Sequence, residues 1–410
     1  MRVVVANPVR QYSHRTAFAL QEGQMLERYL TPIWYDPRRF PYPLLRLLPQ
    51  PMRGHALEQL EKRSFPRLDP AHVTTYPLWR GLMTAVTTAR SRRTKTREDR
   101  MFRLYREFDA WVAGKLSRIP CDLFVGYEMA ALLSFEACRR RGIACVLDLA
   151  GVHWRTQRRR LGTEAAPPGE AEVVKDQELA VADLILTPST FAEASLREAG
   201  IEPARIARVP FGMDPETFRS KKRYRREGRF TVLYVGALTV RKGFADLLEA
   251  VARPRLPGVD LILVGGMDDG ESLLEGFEGA YRHVPFTRHE DLVRLYQDAD
   301  VFVLPSHEDS FGMVVVEAMA CGTPVIVTET TGARDAVRDG LDGYVVAPRD
   351  VSALRARLSY LRDHPEAVEA MGRRAHEHAA SWTWAVYGER LRGVLGVLRS
   401  HLQTREGRRA

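Results

Sequence analysis

Short apolar runs alternate with amphipathic stretches along most of the chain, most clearly from Val301 to Val327. Val301–Leu304 is an apolar run of the kind that forms buried strands, and Pro305 ends it. A helical pattern follows over Gly312–Cys321, and Val325–Val327 is the next apolar run. The pattern predicts a strand, a loop, a helix and a second strand, joined as a right-handed parallel crossover. In such sheets ligands bind at the carboxyl ends of the strands, where the polar loop must lie.

The same alternation predicts further strands and helices before and after this stretch. The other predicted strands cover Arg2–Ala6, Leu123–Val125, Ala144–Leu149, Asp183–Ser189, Arg205–Phe211, Phe230–Val235, Asp260–Val264 and the strand end His283–Phe286. The predicted helices cover Ala17–Arg28, Ala130–Arg141, Thr190–Glu198, Phe244–Val251, Val351–His364, Pro365–Ala380 and a last helix to about His401. Strands that alternate with helices predict an α/β fold. Because 410 residues are too many for one ordinary core, two domains are expected.

Charge is distributed unevenly, and the first part of the chain is strongly basic. The net charge is +9, with 18 Lys+Arg against 8 Asp+Glu in residues 1–100 and 8 against 18 in residues 251–350. A basic half suits nucleic acid, anionic lipid or an anionic substrate, and the lack of a nucleic-acid motif favours the last two. The basic run Arg90–Arg97 is either a solvated face or an electrostatic contact with anionic lipid.

A proline-rich stretch covers residues 32–51, with six prolines among aromatic side chains. So many prolines predict a loop without a helix. Exposed apolar residues on such a loop suggest a binding rim or a membrane-facing edge, and a loop folded against its own domain is an equally good interpretation.

Several features indicate a cytoplasmic protein, peripheral at the inner face of the membrane if the basic run meets lipid. No apolar run is long enough to span a bilayer, and Met1-Arg2-Val3 starts no secretory signal. The four cysteines have neither metal nor disulfide spacing, so we expect buried free thiols in a reducing compartment.

Two carboxylates suggest what the central loop does. Asp309 and Glu317 are separated by seven residues, and Glu317 falls in a helix that is apolar nearly all round. A buried carboxylate needs hydrogen-bond donors, and the helix start near Gly312 adds N–H groups that attract anions. Carboxylates that bind hydroxyls, next to backbone amides that bind phosphate, suit a nucleotide sugar as the ligand. The alternative is that Glu317 caps a neighbouring loop or reaches solvent.

This stretch resembles the donor-site motif of retaining glycosyltransferases of family four, which have the GT-B fold. That motif has a Glu, seven residues and a second Glu, with Phe-Gly between them and Glu-Ala-Met-Ala-x-Gly-x-Pro at its end. The chain has Asp309, then Phe311-Gly312, then Glu317-Ala-Met-Ala-Cys-Gly-Thr-Pro324. It departs at the first carboxylate, where Asp309 stands beside Glu308, and either could contact the donor sugar.

The resemblance implies two Rossmann-like domains that face each other across a cleft, with a C-terminal helix crossing back to the first domain. The expected domains are an acceptor-side domain over residues 1–210, a nucleotide-sugar-binding domain over 211–384 and a returning helix over 385–410. Gly212-Met-Asp214, followed by Phe218, resembles the link between the domains. The first loop, Asn7–His14, lacks the glycines that GT-B enzymes often have there; Arg10, His14 and Arg15 are candidates for a ligand contact or for surface charge.

The resemblance also implies roles for individual residues. Glu317 would hold ribose hydroxyls, and Asp309 or Glu308 would hold sugar hydroxyls. Lys242, helped by Arg241 because Ala237 stands where the family often has Arg, would hold the diphosphate with the Gly312–Met313 amides. His153, just after a predicted strand, would contact the donor sugar and support catalysis. The expected catalytic residues are His153, Lys242, Asp309 and Glu317. The expected donor-binding residues are Arg241, Lys242, Glu308, Asp309, Phe311, Gly312, Met313, Val314 and Glu317.

The expected function is that of a retaining glycosyltransferase that uses a nucleotide-diphosphate sugar and a glycan, lipid or small-molecule acceptor. No cofactor, no metal and no nucleic-acid partner are expected. The sequence Asp298-Ala-Asp300 spells the metal signature of a different glycosyltransferase fold, but it precedes its strand, so we interpret it as structural. A nucleotide-sugar epimerase of the same fold and a non-catalytic nucleotide-sugar-binding protein remain alternatives.

Overall fold

Two parallel β-sheets organise the chain, one built from residues 3–208 and the other from residues 230–346. The structure is a computed structural model that describes residues 1–9, 12–38, 42–47, 49–61, 63–76, 94–224, 228–267, 270–285 and 287–407. Arg10, Phe40, Arg90–Arg93 and Phe286 lie outside these ranges.

The first sheet has the strand order β3-β2-β1-β4-β5-β6-β7 in the described residues. Its strands are β1 Val3–Ala6, β2 Leu26–Thr31, β3 Val73–Thr75, β4 Leu123–Tyr127, β5 Ala144–Asp148, β6 Leu184–Thr187 and β7 Ile206–Arg208. The second sheet has the order β10-β9-β8-β11-β12-β13. Its strands are β8 Phe230–Val235, β9 Val259–Val264, β10 Tyr281–Val284, β11 Val301–Leu304, β12 Val325–Thr328 and β13 Gly343–Val346.

Helices cover both faces of each sheet, as the continuous apolar runs of the strands require. The α-helices are α1 Ser13–Glu22, α2 Gln50–Glu61, α3 Thr94–Leu116, α4 Leu132–Arg139, α5 Trp154–Leu161, α6 Glu170–Val181, α7 Thr190–Glu198, α8 Phe244–Ala252, α9 His289–Asp298, α10 Met313–Ala320, α11 Val351–Asp363, α12 Pro365–Ala379 and α13 Trp384–Gly407. Short 3-10 helices cover Tyr42–Leu47, Pro70–His72, Pro203–Arg205, Val240–Lys242, Glu271–Leu274 and Gly332–Ala336.

The strand order positions the ligand-binding loops. In the first sheet the order reverses between β1 and β4, and in the second between β8 and β11. Parallel sheets bind ligands beyond the carboxyl ends of strands at such a reversal. The loops after β1, β4, β8 and β11 therefore form the crevice.

The chain crosses between the two sheets twice, and the two crossings lie side by side. Met213 N donates to Trp382 O at 2.9 Å, and Trp384 N donates to Met213 O at 3.2 Å. A Cβ at Gly212 would lie 2.1 Å from the carbonyl carbon of Thr383, so only glycine permits this approach.

Helix α13 then packs back against the first domain, as the GT-B resemblance implies. The hydroxyls of Tyr387 and Thr16 are 2.8 Å apart. Arg392 Nη1 donates to Ala19 O at 2.8 Å.

Two predictions near the amino terminus are wrong. The predicted helix Ala17–Arg28 is helical only to Glu22, because Gly23 caps its carboxyl end and Leu26–Thr31 pairs with β1 as β2. The proline-rich stretch does contain helix: α2 begins at Gln50, with Pro51 in its first turn, where proline costs no hydrogen bond.

The proline-rich stretch is also not uniformly exposed. Trp34 is 6% exposed and packs edge-to-face on Tyr29, so this part of the stretch is folded against its own domain.

Strand β13 was not predicted, because Gly340–Gly343 has the composition of a turn.

Candidate functional site

Two connected chambers lie in the crevice between the sheets. The larger has a volume of about 560 Å³, and the smaller about 320 Å³. Ala150 from the first domain and Ser310 from the second line both chambers. The chambers therefore meet where the two domains face each other.

The loops after β8 and β11 form one rigid wall of the crevice. His307 N donates to Arg241 O at 2.9 Å, and His307 Nε2 lies 2.7 Å from Asp246 Oδ2. Gly243 has a φ of 65°, and a Cβ there would lie 2.0 Å from Pro305 O. Both the conformation and the close approach require glycine, so the sequence at this point fixes the distance between the two loops.

Each of the two basic residues after β8 faces a carboxylate after β11. Lys242 Nζ donates to Asp309 Oδ2, and both residues line the larger chamber. Arg241 Nη1 lies 3.6 Å from Glu308 Oε2 and donates to Glu308 O at 3.0 Å, and both line the smaller chamber. Burial raises the pKa of Glu308, and the charge of Arg241 opposes this rise.

Glu317 opens onto the larger chamber from the middle of α10. Loss of solvation raises its pKa to about 7, and the hydrogen bond from Tyr296 opposes the rise. Tyr296 Oη, on α9, donates to Glu317 Oε2 at 3.0 Å. The donor that a carboxylate in this apolar helix requires is thus a tyrosine from the preceding helix.

The larger chamber collects most of the residues that the motif singled out. It is lined by Lys242, Asp309, Phe311, Gly312, Met313, Val314 and Glu317. Phe311 is buried and stands edge-to-face with Phe211 at 5.4 Å, which ties the motif to the crossing between the domains. His14 and Arg15 line the same chamber, and Arg15 Nη2 lies 3.6 Å from Asp214 Oδ2.

His153 is built into the first domain instead of the chamber walls. It caps α5, where its Nδ1 accepts a hydrogen bond from Arg155 N at 3.2 Å. Its Nε2 lies 3.3 Å from Asp176 Oδ1, without hydrogen-bond geometry, and burial lowers its pKa. The side chain is 1% exposed and is not among the described residues that line either chamber. A catalytic role for His153 therefore stays a prediction.

Asp148 is a site residue that the sequence pattern did not single out. It ends β5, lines the smaller chamber and is 4% exposed. Tyr12 Oη donates to its Oδ1 at 2.6 Å. Burial raises the pKa of Asp148 to about 7, and the hydroxyls of Tyr12 and Tyr127 oppose the rise. Its position at a strand end was the only sign of it in the sequence, and Tyr12 gave none.

Several hydrogen bonds cross directly between the domains at the crevice. Gln157 Nε2 donates to Glu308 Oε2 at 3.4 Å, and Ser189 Oγ donates to Ser310 O at 2.6 Å. Thr190 N donates to Asp335 Oδ2 at 2.7 Å. These contacts hold the two walls against each other.

The acidic pair before β11 does not face the crevice. Asp300 Oδ2 accepts a hydrogen bond from Thr231 N at 2.7 Å, which joins β11 to β8 at their amino ends. Across the described ranges, His, Cys, Asp and Glu side chains form no group of three suited to a metal ion. No helix in the described part of the chain is long and apolar enough to cross a membrane.

Comparison with known proteins places the second half of the chain in a family. The family model described as Glycosyl transferases group 1 matches residues 216–378. The D-inositol 3-phosphate glycosyltransferase of Mycobacterium marinum is 35% identical over 246 residues, which cover 54% of this chain and 52% of that protein. The protein of the same name from Geodermatophilus obscurus is 34% identical, with 53% of each chain covered. These matches span about half the length of the relatives.

Solved structures resemble the whole chain in fold. Sucrose-phosphate synthase from Thermosynechococcus elongatus aligns with a TM-score of 0.75 at 18% identity, over 98% of this chain and 100% of that one. HepE from Anabaena, in complex with UDP-glucose, aligns with a TM-score of 0.67 at 17% identity, over 97% and 100%. The motif around Asp309 and Glu317 lies inside the matched family region. Residues 216–378 thus match the glycosyl transferases of group 1, and the chain as a whole has the GT-B fold.

Proposed function

We propose that the protein is a retaining glycosyltransferase that moves a sugar from a nucleotide-diphosphate sugar to a hydroxyl acceptor. One observation carries the proposal: Lys242, Asp309 and Glu317 line a single chamber of about 560 Å³ at the reversal point of the second sheet. A cation and two carboxylates in one chamber match a ligand that carries both phosphates and hydroxyls. The group 1 relatives, named as glycosyltransferases, support the same reaction class.

Glu317 is suited to hold the ribose of the nucleotide. Tyr296 occupies only Oε2, so Oε1 can accept hydrogen bonds from the ribose hydroxyls. Two vicinal hydroxyls on one ionised carboxylate make charge-assisted hydrogen bonds, which are about twice as strong as neutral ones.

Lys242 is suited to hold the diphosphate. Its charge is neutralised by Asp309. An incoming diphosphate competes for the ammonium group, and the released Asp309 carboxylate is then free to accept a hydrogen bond from a sugar hydroxyl. Binding of the donor and orientation of its sugar would thus be coupled through one ion pair.

Retention is the outcome that the resemblance to family four implies, and we propose a same-face displacement as its route, because the motif offers no suitable enzyme nucleophile. Glu317 is assigned to the ribose and the released Asp309 to a sugar hydroxyl, so neither carboxylate is assigned to a covalent sugar intermediate. In the proposed reaction the diphosphate leaves and the acceptor oxygen enters on the same face of the anomeric carbon. The hydroxyl proton passes to the leaving diphosphate.

The proposed reaction needs no divalent metal, because the protein supplies the charge that balances the diphosphate. Lys242 is the cation at that place, and the amino end of α10 adds partial positive charge. Arg241 lines the neighbouring chamber, where it can approach the same phosphates from the other side of Ser310.

The test is an assay of purified protein with nucleotide-diphosphate sugars, beginning with UDP-glucose, which is present in the HepE structure. Transfer should proceed in excess EDTA, and NMR of the first product formed should give the same anomeric configuration as the donor. Inverted product would contradict retention. Activity that is lost with EDTA and restored by manganese would contradict the metal-independent reaction.

A further inference from the structure

The smaller chamber belongs mainly to the first domain. The second domain contributes Arg241, Glu308 and Ser310 to its described lining. The rest of the lining comes from the loops after β1, β4 and β5 and from α3, α5 and α6. A ligand that enters this chamber therefore meets the first domain over most of its surface, and it meets the donor chamber only at Ala150 and Ser310.

Asp148 presents an unused hydrogen-bond acceptor in this chamber. Its Oδ1 receives the Tyr12 hydroxyl. The nearby Tyr127 hydroxyl, which also lowers the pKa of Asp148, lies 2.9 Å from Thr16 Oγ1, and among the described residues Oδ2 has no partner with hydrogen-bond geometry. Tyr12 cannot turn to serve both oxygens, because its ring is packed 4.0 Å from the ring of Phe211 and 5.8 Å from that of Tyr127. A carboxylate oxygen that is buried without a donor is unfavourable unless a ligand supplies the donor.

The cations of the chamber already have partners. Lys175 Nζ lies 3.1 Å from Glu128 Oε2, and Arg241 Nη1 lies 3.6 Å from Glu308 Oε2. With these two pairs balanced, Asp148 has the remaining carboxyl group in the described lining. A phosphate in this chamber would have to displace Glu128 from Lys175 or Glu308 from Arg241 to gain a cation, and it would face the Asp148 carboxyl group.

The basic segment on α5 does not supply such a cation either. Arg155 Nη2 lies 2.6 Å from Asp176 Oδ2, and Arg158 Nη2 lies 2.5 Å from Glu172 Oε2. Arg159 Nη1 lies 3.3 Å from Glu198 Oε2. These arginines join α5 to the neighbouring helices, and Gln157 is the α5 side chain that lines the chamber.

We propose that the smaller chamber binds a neutral polyhydroxylated acceptor and that Asp148 Oδ2 accepts a hydrogen bond from one of its hydroxyls. This inference rests on the proposed glycosyltransferase function and names the acceptor class of that reaction. Asp148 would be an acceptor-binding residue, held in orientation by Tyr12.

The test uses full-length protein saturated with UDP and pairs of probes that differ by one phosphate. D-glucose is compared with glucose 6-phosphate, and myo-inositol with inositol 1-phosphate, by saturation-transfer NMR titration. Neutral probes should bind more tightly than their phosphorylated partners. Binding of neither neutral probe, or preference for the phosphorylated member of a pair, overturns the proposal.

The decisive variant is Asp148→Asn. Because Tyr12 directs the amide oxygen towards itself, the amide nitrogen takes the place of Oδ2, and an acceptor is replaced by a donor. At about pH 8.5, where Asp148 is ionised, the dissociation constant for the neutral probe should rise about tenfold, the amount expected for a hydrogen bond to a charged group. UDP affinity should stay within about twofold. An unchanged affinity for the neutral probe overturns the role of Asp148.

Two further variants separate this result from damage to the fold. Gly151→Val adds a side chain to the chamber wall, where a Cβ meets no atom within 4 Å, so it should block neutral probes while UDP still binds. Asp122→Asn removes a carboxylate from the opposite end of the same sheet, where it pairs with Arg2 at 3.0 Å, and should change neither affinity. If the native protein does not bind UDP, the proposed function itself is contradicted. If Gly151→Val binds both UDP and the neutral probes as the native protein does, only the acceptor assignment is contradicted.

Discussion

Lys242 and Asp309 form an ion pair across the two loops that frame the larger chamber. One residue follows β8 and the other follows β11, the adjacent strands at which the second sheet reverses its order. The pair is largely buried, with 17% of the Lys242 side chain and 9% of the Asp309 side chain exposed. A buried pair is costly to break from one side only, because the remaining charge has no partner.

Lys242→Ala should nearly abolish transfer. The variant loses the cation proposed for the leaving diphosphate, and loss of one such contact costs on the order of 3 kcal/mol, about a hundredfold in rate. Initial rates at saturating donor measure this effect. Lys222→Ala is the matched control, because Lys222 is an exposed residue of the segment between the domains. Equal rates in the two variants would remove Lys242 from the mechanism.

Glu317→Gln should weaken nucleotide binding more than it slows transfer at saturation. Tyr296 donates to one side-chain oxygen, so the amide presents its NH₂ group to the ribose and can no longer accept from both hydroxyls. The expected loss is about tenfold in UDP affinity by calorimetry, as for a hydrogen bond to a charged group. Glu329→Gln, at an exposed residue after β12, is the control. Unchanged UDP affinity in Glu317→Gln would contradict the ribose assignment.

The two neighbouring carboxylates can be distinguished by kinetics. Asp309→Asn should lower turnover more than nucleotide affinity, because in the proposed reaction Asp309 leaves Lys242 to the diphosphate and holds a sugar hydroxyl. Glu308→Gln should affect the acceptor side, because Glu308 lines the smaller chamber and accepts from Gln157. The ratio of donor KM to acceptor KM in each variant is the measurement. A donor-specific defect in Glu308→Gln would reverse the assignment.

Folding stability should fall as the pH rises from about 4 to about 7, and Asp148 is one source of this dependence. Burial raises its pKa from 3.8 to about 7, so within this window the folded protein retains a proton that the unfolded chain has released. Because the folded state binds more protons, its free energy of unfolding decreases by up to ~1.4 kcal/mol per pH unit for one such group.

Asp148→Asn should remove this contribution, since an amide does not ionise. The variant should therefore gain stability relative to the native protein as the pH rises, measured by urea unfolding at about pH 5 and about pH 7.5. Asp122→Asn is the matched control: the backbone and side chain of Arg2 lower the pKa of Asp122, so this carboxylate is ionised in the folded and unfolded states throughout the measured range and its removal should cause no pH-dependent difference. A difference between Asp148→Asn and native protein that does not change with pH would contradict the burial of an ionisable group there.

The basic surplus of the first part of the chain predicts weak, salt-sensitive binding to anionic vesicles through Arg90–Arg97. Screening over about 8 Å at physiological salt should reduce the binding. Sedimentation with phosphatidylserine vesicles at low and high salt measures it, with Arg92→Gln/Arg93→Gln as the test variant and Lys222→Gln/Arg223→Gln as the charge-matched control. Equal loss in both variants would mean that net charge alone, and not this run, causes the binding.

Much of the second domain was predictable because its signals are local. The predicted strands Phe230–Val235 and Val301–Leu304 match β8 and β11 at both ends, and α10 differs from its prediction by one residue at each end. A run of consecutive apolar residues leaves water only in a buried strand or helix, and a proline or glycine marks where that element ends. The element can therefore be inferred without knowing any distant residue. The spacing of Asp309 and Glu317 is likewise a local pattern, and both line one chamber.

Tertiary structure alone decided which partner each buried polar group has. Asp148 meets a hydroxyl from Tyr12, 136 residues away in sequence, and Glu317 meets Tyr296 from another helix. His153 follows its strand as predicted but turns inward to cap α5, because the first turn of that helix needs an acceptor and the histidine is the residue in reach. The local pattern indicates that a buried carboxylate or imidazole needs a hydrogen-bond partner. Which residue is that partner depends on how distant elements pack, and no periodicity in the chain encodes that packing.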